Sequence, residues 1–377
     1  MEIKYMTKHR FIINDKKALK ETILHPESHL KPSIGNDLDH FQLDITYDKE
    51  QWIIDYFDGV IDNKYVNPGV FLFSFHSVID VPWDDLMSMN YDIRVLYHRD
   101  IHQISLLQID VYHLHFPKLN QDAWNEAYAK APSSYKNIVK RLLENPRQFL
   151  TKRLISHLDH RDFAGHHVAQ LACNNGREIM AILMQYHADQ ATGFDISDSM
   201  IKDANQTAKL LQLNAKFIQS NLYEIDETYH NTFDDIFIMI GAITWFDDLS
   251  RLFKIVFNLL KPQGHFYLLD GHPITGMFAF EGEEGYDEEN PYKLVHSYFR
   301  KEPFVDTDGM YYMNQQHYKS SPFVSFSHTF TEIIQGLIDA NLSILVFEEG
   351  NENMLENFPG LDGKGVPLIF YIDAIKR

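Results

Sequence analysis

The chain has a single cysteine, Cys173, among its 377 residues. One cysteine cannot form an internal disulfide, so the sequence excludes a fold that is stapled by its own disulfides. The opening segment MEIKYMTKHRFIIND also lacks the long apolar stretch of a signal peptide. We therefore expect a cytoplasmic protein.

Long hydrophobic runs and basic residues are scarce as well. No apolar run approaches the roughly 20 residues that a membrane-spanning helix requires, and the mean hydropathy is -0.30. Only 34 lysines and arginines stand against 53 acidic residues, which gives a formal net charge of -19. Such a surface repels the phosphates of nucleic acid and anionic membrane faces. The partner that we expect is a small molecule, not nucleic acid or a membrane.

Residues 1–116 contain short stretches of alternating apolar and polar residues, which are typical of half-buried strands. The predicted elements are strands at 41–47, 91–97 and 112–116 and helices near 15–24 and 50–57. In the last strand His113 and His115 would share one face, where two solvated histidines are favoured over a metal pair. The region is predicted to be a small α+β domain of unknown role.

Residues 117–377 change in character, first to helical spacing up to about Leu158 and then to strands that alternate with helices. The predicted strands are 166–172, 191–195, 217–220, 233–240, 265–269, 343–347 and 367–374. The predicted helices are 178–186, 199–211, 249–260 and one that starts at a capping box of Thr329 and Glu332. Repeated strand–helix units predict a parallel sheet with helices on both faces. The two closing strands have no helix between them, which predicts a seventh strand antiparallel to the others.

Residues 271–326 interrupt this alternation. They contain an acidic run at 281–290, with six acids and no base, followed by a stretch rich in aromatic residues. A connection of this length inside a compact domain is usually a lid or a substrate-binding element. We predict a lid in which the acidic run is a solvated loop.

The segment with the clearest chemistry is VAQLACNNGREI at 168–179, followed by GFDIS at 193–197. Asp195 ends the second strand about 20 residues after the first turn, where a carboxylate is suited to accept hydrogen bonds from two ribose hydroxyls. The turn is poor in glycine, because Ala172 and Asn174 stand where a pyrophosphate-binding turn has glycines and Gly176 is the main permissive residue. S-adenosylmethionine has a nucleoside and no phosphates, so it would tolerate such a turn.

These segments resemble the class I S-adenosylmethionine-dependent methyltransferases, and most of all a bacterial small-molecule group with a Cys-Asn-x-Gly type of first motif. The resemblance covers about residues 120–377 and implies a Rossmann-like sheet of seven strands. It departs from the family at Gln170, which replaces the usual acid of the first motif, and at Asn221, which stands where an aspartate commonly contacts adenine. The segments that carry it are WNE, LACNNGRE, GFDISDSMI, NLY, FDDIFIMIGAITWFDDL, LLKPQGHFYLLDGHP and SHTFTEIIQGLIDANLSI.

The resemblance also implies which residues form the site. Those implied to bind the cofactor are Ala172, Cys173, Asn174 and Gly176 around the methionine tail, Asp195 at the ribose, Ile196, Met200, Asn221 and Leu222 around the adenine, and Gly241 near the sulfonium. Those implied on the acceptor side are Trp124, Tyr128, Trp245 and Tyr298, with His272 as the candidate general base. Core packing explains Ile196, Met200 and Leu222 equally well, and Cys173 is better explained as a buried filler than as a nucleophile. His272 would serve equally well to order the loop before Pro273.

The expected activity is methyl transfer from S-adenosylmethionine to a small-molecule acceptor. Two alternatives stay open at this point. The first is a non-catalytic methyltransferase-like binding protein with a degraded first motif. The second is a nicotinamide-dependent oxidoreductase, which the glycine-poor turn opposes. The acceptor and the oligomeric state stay open, with a homodimer among the expected arrangements.

Overall fold

The computed structural model describes residues 9–13, 40–48, 51–58, 68–75, 92–98, 103–109 and 112–377, without 280–284, 291, 302, 315, 355–357, 359–360 and 362–363. Side chains are described from Phe116 onward. The contacts divide the chain into two compact units, Met1–Phe116 and Pro117–Arg377.

The strands described in the first unit form one antiparallel sheet in the order β1-β3-β2-β5-β6-β4. They are β1 (His9–Ile13), β2 (His40–Asp48), β3 (Gln51–Asp58), β4 (Pro68–Phe75), β5 (Asp92–His98) and β6 (Gln103–Ile109). The predicted strands 41–47 and 91–97 are confirmed as β2 and β5. The helix predicted near 50–57 is wrong, because β3 occupies this segment and its aromatic and β-branched residues WIIDYF favour a strand. The helix predicted near 15–24 lies outside the described residues.

The strand predicted at 112–116 is also wrong. These residues belong to the helix α1 (Tyr112–Lys130). An alternation of five residues is too short to outweigh the helical spacing of the segment that follows it. His113 and His115 therefore do not share a strand face, and residues two apart in a helix do not face each other.

The second unit contains a seven-stranded sheet in the order β14-β15-β11-β10-β7-β8-β9. Its strands are β7 (His167–Leu171), β8 (Gln190–Asp195), β9 (Ala215–Gln219), β10 (Phe233–Ile238), β11 (Leu260–Gly271), β14 (Leu342–Gly350) and β15 (Ile369–Lys376). The neighbouring strands from β9 to β11 pair in parallel, whereas β15 is antiparallel to both β11 and β14. The predicted seven-stranded sheet with an antiparallel last strand is confirmed.

Helices cover both faces of this sheet. After α1 they are α2 (Ser133–Lys136), α3 (Val139–Glu144), α4 (Lys152–Leu158), α5 (Arg177–Tyr186), α6 (Asp198–Leu210), α7 (Leu249–Leu259), α8 (Tyr311–Asn314) and α9 (Phe330–Asp339). Apolar side chains of α7 and α9 pack on one face, and those of α3 to α6 pack on the other. The predicted capping box is confirmed, because Thr329 Oγ1 accepts from the Glu332 N–H while Glu332 Oε2 accepts from the Thr329 N–H. Across the ranges that the structure describes, no helix is both long and apolar enough to span a bilayer.

The segment predicted as a lid leaves the carboxyl end of β11 and is bonded to α1. It contains the strand pair β12 (Phe304–Asp306) and β13 (Phe323–Ser325). The Asn120 side chain donates to the Val324 carbonyl at 2.8 Å and accepts from the Val324 N–H at 2.7 Å. Asn314 Nδ2 donates to the Ala127 carbonyl at 3.2 Å. The second half of the segment is thus held against α1.

Candidate active site

The turn after β7 has left-handed backbone angles that favour glycine, although it contains few glycines. Ala172, Asn174 and Gly176 have φ angles of 53°, 52° and 76°, all in the left-handed region. Asparagine enters this region readily, whereas alanine does so at a cost of roughly 1–2 kcal/mol. The turn therefore has three left-handed residues at alternate positions, and two of them carry side chains.

Gly176 is the position in this turn where only glycine fits. A Cβ at Gly176 would overlap the ring of Phe217 and come within 3.1 Å of Met180 Cε. A Cβ at Gly193 in β8 would meet the same ring at 2.5 Å. Phe217, on β9, fills the space that the two glycines leave and so fixes the turn against the sheet.

Asp195 ends β8 and is 9% exposed. Its Oδ2 accepts from the Asn174 N–H at 2.7 Å, and its Oδ1 accepts from the Ser197 N–H at 2.9 Å. A carboxylate has about four acceptor positions, so each oxygen can still accept a ribose hydroxyl. The residue thus joins the turn after β7 to the predicted ribose position.

The cofactor affinity should depend on pH through this carboxyl. Burial raises the pKa of Asp195 to about 6, although the neighbouring backbone N–H groups favour the ionised form. The ionised Asp195 carboxylate accepts hydrogen bonds from both ribose hydroxyls, whereas the protonated carboxyl carries an O–H that must itself donate. We therefore expect the affinity for S-adenosylhomocysteine to fall below pH 6. At pH 5 the dissociation constant from calorimetry should be about tenfold larger than at neutral pH.

Asp195→Asn is the control for this pH dependence, because it removes the carboxyl of residue 195 and keeps every other ionisable group. The variant should bind more weakly at neutral pH and show a flat affinity between pH 5 and 7. A flat profile in the unaltered protein would contradict the assignment.

Asp270 plays a similar structural part at the end of β11. Its carboxylate is 3% exposed and accepts from four backbone N–H groups. The donors are Gly241 at 2.7 Å, Ala242 at 3.0 Å, Ile243 at 2.9 Å and Gly271 at 2.6 Å. Burial raises the pKa of Asp270 to about 6 against these hydrogen bonds. The loop after β10 is therefore anchored to the end of the neighbouring strand.

Gly241 opens that loop, with a φ angle of 81°. A Cβ built on it meets no atom within 4 Å. Free space therefore lies beside the backbone at the end of β10, as the predicted position near the sulfonium requires.

Two buried amides next to the turn fit an amino-acid group. Gln170 in β7 is 1% exposed, and its Oε1 has no hydrogen-bond partner among the described residues. Asn175 is equally buried and lies close to the Tyr128 hydroxyl, without a hydrogen bond of normal geometry to it. A buried acceptor without a donor costs about 1–3 kcal/mol. The ammonium of a methionine tail would supply the missing donor at Gln170, so these residues fit S-adenosylmethionine.

Three aromatic rings form a cluster between α1, the loop after β10 and the lid segment. The centroids of Trp124 and Trp245 are 5.1 Å apart, those of Trp124 and Phe323 5.2 Å, and those of Trp245 and Phe323 6.0 Å. Tyr128 and Met200 pack in the same cluster. The structure thus brings together three of the four predicted acceptor-side residues, Trp124, Tyr128 and Trp245.

Helix α1 is fixed over the start of α6 by polar side chains. Asn125 Oδ1 accepts from the hydroxyls of Ser197 and Ser199 at 2.7 and 2.8 Å. The Tyr128 hydroxyl donates to Asp203 at 2.9 Å, and Gln121 donates to the Ile196 carbonyl at 3.1 Å. These bonds place the aromatic cluster beside the predicted adenine position.

His272 and Tyr298 lie together in a different place, against Phe330 at the start of α9. The ring of His272 packs edge-on to that of Phe330 with centroids 4.7 Å apart, and the Tyr298 hydroxyl accepts from the Phe330 N–H at 3.1 Å. His272 Nδ1 accepts from the Ile274 N–H and Nε2 lies 2.7 Å from Glu349 Oε1. Both ring nitrogens are therefore engaged. The general-base role of His272 and the acceptor contact of Tyr298 stay predictions that this geometry does not favour.

The other predicted cofactor residues differ in how much of their surface is available. Met200 and Leu222 are buried in apolar clusters, whereas Ile196 is half-buried. Asn221 Oδ1 accepts from the Tyr223 N–H at 3.2 Å, which leaves its amide nitrogen for a ligand. Cys173 is fully buried, and burial raises the pKa of its thiol well above 9, so the side chain is a packing element.

Sequence reasoning missed Asp270 and Phe323. A signal for Asp270 was present, because FYLLD ends in an acid after a buried strand just as ATGFD ends in Asp195. No local pattern marks Phe323, whose partners are about 80 and 200 residues away in the sequence.

Part of the sequence matches a known protein family. Residues 168–264 match the family model described as a methyltransferase domain. No curated protein matches the sequence significantly.

Several solved structures are similar to part of this chain. A protein from Listeria monocytogenes described as an S-adenosylmethionine-dependent methyltransferase is 21% identical over 59% of this chain and 97% of its own, with a TM-score of 0.45. A methyltransferase from Mesorhizobium loti is 18% identical over 58% and 94%, with a TM-score of 0.44. Geranyl diphosphate C-methyltransferase from Streptomyces coelicolor is 12% identical over 60% and 78%, with a TM-score of 0.40.

Residues 168–264 are thus similar to a methyltransferase domain, and the sheet to which they contribute has a Rossmann-like strand order. The match indicates an enzyme of the methyltransferase class.

Proposed function

We propose that the enzyme transfers a methyl group from S-adenosylmethionine to a small molecule that binds against the cluster of Trp124, Trp245 and Phe323. The observation that carries this proposal is the position of the cluster. Trp245 lies in the loop that Gly241 opens and Asp270 anchors, and the other two rings come from α1 and the lid segment. An acceptor held there would lie beside the space at Gly241.

The composition of the cluster favours an acceptor with an apolar, aromatic or cationic part. Aromatic faces bind apolar groups by excluding water and bind cations through the ring quadrupole. The net charge of -19 opposes nucleic acid as acceptor and is compatible with an amine.

The cofactor, when bound, supplies an electrophilic methyl group for an in-line displacement. The residues of this chain contribute binding and orientation. Asp195 accepts from the ribose hydroxyls, Gln170 accepts from the ammonium, and the aromatic cluster orients the acceptor and excludes water. Positioning and desolvation of this kind supply much of the acceleration of such a displacement. A general base is required only if the acceptor atom is a poor nucleophile that carries a proton.

Three expectations from the sequence belong to this proposal. Residues 1–116 form a domain whose role is open, residues 271–326 act as a lid, and the enzyme is cytoplasmic. The hydrogen bonds of Asn120 and Ala127 to the lid segment support a closed position of that segment over the cluster.

A methylation screen tests the proposed function. The full chain is incubated with S-adenosylmethionine that carries an isotope-labelled methyl group, together with pooled small-molecule extracts, and mass spectrometry detects labelled products. We expect the label in a small molecule, and no label when Asp195→Ala replaces the unaltered enzyme. A label that appears only in added nucleic acid or polypeptide would contradict the proposal.

A further inference from the structure

The loop after β10 is held from two sides. On one side Asp270 accepts from the N–H groups of residues 241–243. On the other side the loop contacts residues 326–328, which connect β13 to α9. The Phe326 N–H donates to the Thr244 carbonyl at 2.7 Å, and Thr244 Oγ1 donates to the Phe326 carbonyl at 3.0 Å. The loop that carries Trp245 is therefore bonded to the segment that follows β13.

The side chain of His328 adds a third hydrogen bond to this contact. Its Nε2 lies 3.1 Å from the carbonyl oxygen of Ile243. Burial lowers the pKa of His328 to about 4, so the imidazole is neutral at physiological pH and carries a single N–H. Because a carbonyl can only accept, this N–H is on Nε2 and donates to Ile243.

The Ile243 carbonyl belongs to the turn that holds Trp245 in place. Residues Ile243–Trp245 form a short 3-10 helix, and the same carbonyl accepts from the Phe246 N–H at 3.2 Å. A carbonyl oxygen has two lone pairs, so the two donors together satisfy it. His328 therefore binds an atom on which the turn itself depends.

The same contact controls the spacing of two rings in the aromatic cluster. The centroids of Trp245 and Phe323 are 6.0 Å apart. Trp245 directly follows the two bonded carbonyls, and Phe323 lies in β13, just before the bonded segment. A shift between the loop and the segment would therefore change the distance between the rings.

We propose that His328 is a positioning residue for methyl transfer, which fixes the Trp245 turn against the segment that carries Phe323. It sets the two rings beside the space at Gly241 without itself touching the acceptor or the cofactor. The inference rests on the proposed function, because it concerns the side of the site where the acceptor binds.

Two substitutions separate the hydrogen bond from the bulk of the side chain. His328→Leu keeps an apolar group of similar size without a donor, whereas His328→Gln keeps an amide N–H at about the reach of Nε2. The initial rate of transfer of an isotope-labelled methyl group into pooled small-molecule extract should fall roughly 10- to 100-fold in His328→Leu, since small misplacements slow such reactions strongly. His328→Gln should restore it to within about threefold.

Near-ultraviolet circular dichroism measures the position of Trp245 without an acceptor. Trp124 and Trp245 meet edge to face with centroids 5.1 Å apart, so the signal that Trp245→Phe removes belongs to this pair. We expect His328→Leu to lose most of that signal and His328→Gln to keep it. Calorimetry should show an affinity for S-adenosylhomocysteine within about twofold of the unaltered enzyme in both variants, because Asp270 still holds the backbone at Gly241.

His167→Leu is the matched control. His167 is also half-buried and bonded through Nε2, which lies 2.8 Å from Thr192 Oγ1, but it begins β7 at the opposite end of the strand from the site. Its substitution should lower the thermal unfolding midpoint and leave both the rate and the dichroism unchanged. His328→Asn has a shorter amide that does not reach Ile243. It should behave as His328→Leu does, and it makes the same comparison if the leucine variant fails to fold.

The outcomes distinguish this inference from the proposed function. A His328→Gln variant as slow as His328→Leu, or an unchanged rate and dichroism in His328→Leu, would overturn the inference and leave the proposed function standing. Equal losses of rate in His167→Leu and His328→Leu would also overturn it, because general destabilisation would then explain both. If the unaltered enzyme labelled no small molecule, the proposed function would fail, and the dichroism would still decide whether His328 positions Trp245.

Discussion

Replacing Asp195 with alanine should abolish measurable binding of S-adenosylmethionine. The change removes the acceptor of two ribose hydroxyls, each of which is left unsatisfied at about 1–3 kcal/mol if it is buried. The combined loss corresponds to at least about a 30-fold weaker dissociation constant. The variant also frees the Asn174 N–H, which holds the turn to β8. Calorimetric titration of the purified variant measures the loss.

Two control variants make this result specific. Asp189→Ala is the same substitution at the opposite end of β8, where exposed Asp189 accepts from the Gly165 N–H at 3.1 Å. Cys173→Ser alters a fully buried side chain whose predicted contribution to the site is its backbone. Both should bind nearly as well as the unaltered enzyme. Undiminished binding by Asp195→Ala would show that the ribose is held elsewhere.

Replacing Gly176 with alanine should both destabilise the domain and abolish cofactor binding. The new Cβ would have to occupy the left-handed region, at roughly 1–2 kcal/mol, and would overlap the Phe217 ring. Overpacking of this kind costs a further 1–3 kcal/mol or so. Thermal unfolding should therefore show a midpoint about 5–15 °C lower. The turn has no room to accept the methyl group without moving away from Asp195.

Gly165→Ala separates the two causes, because Gly165 has a φ angle of 80° and open space around its Cβ position. This variant carries the backbone strain without the overlap. We expect a smaller fall in the midpoint, of about 2–8 °C, and unaltered cofactor binding. If the unfolding midpoints of the two variants fell equally, Phe217 would have to move aside at little cost. The overlap would then not explain why position 176 is glycine.

The order and type of the elements in the second unit could be predicted because each depends on neighbours that are close in sequence. Helical spacing fixed α7, the capping box fixed the start of α9, and alternating strands and helices force a parallel sheet. The same local reasoning was wrong at 112–116 and 50–57, where a few residues of pattern fit both a strand and a helix.

The residues at the carboxyl ends of the strands were also only partly predictable from the sequence. The sequence pointed to Asp195 because an acid at the end of the second strand stands at a fixed place in any sheet of this kind. It could not show that Asp270 binds four backbone N–H groups or that Gln170 keeps an unpaired oxygen. Whether a buried polar group is satisfied depends on every atom around it, and those atoms come from distant parts of the chain.

The sequence by itself therefore determined the class of fold, the position of the turn and the acid that faces it, since periodicity and short spacing carry that information. The tertiary structure alone decided which side chains meet. It joined Trp124 to Phe323, Asn120 to Val324 and Asn314 to Ala127, pairs separated by more than 100 residues. Such contacts arise from the packing of helices and loops on the sheet, a property of the whole domain that no local pattern encodes.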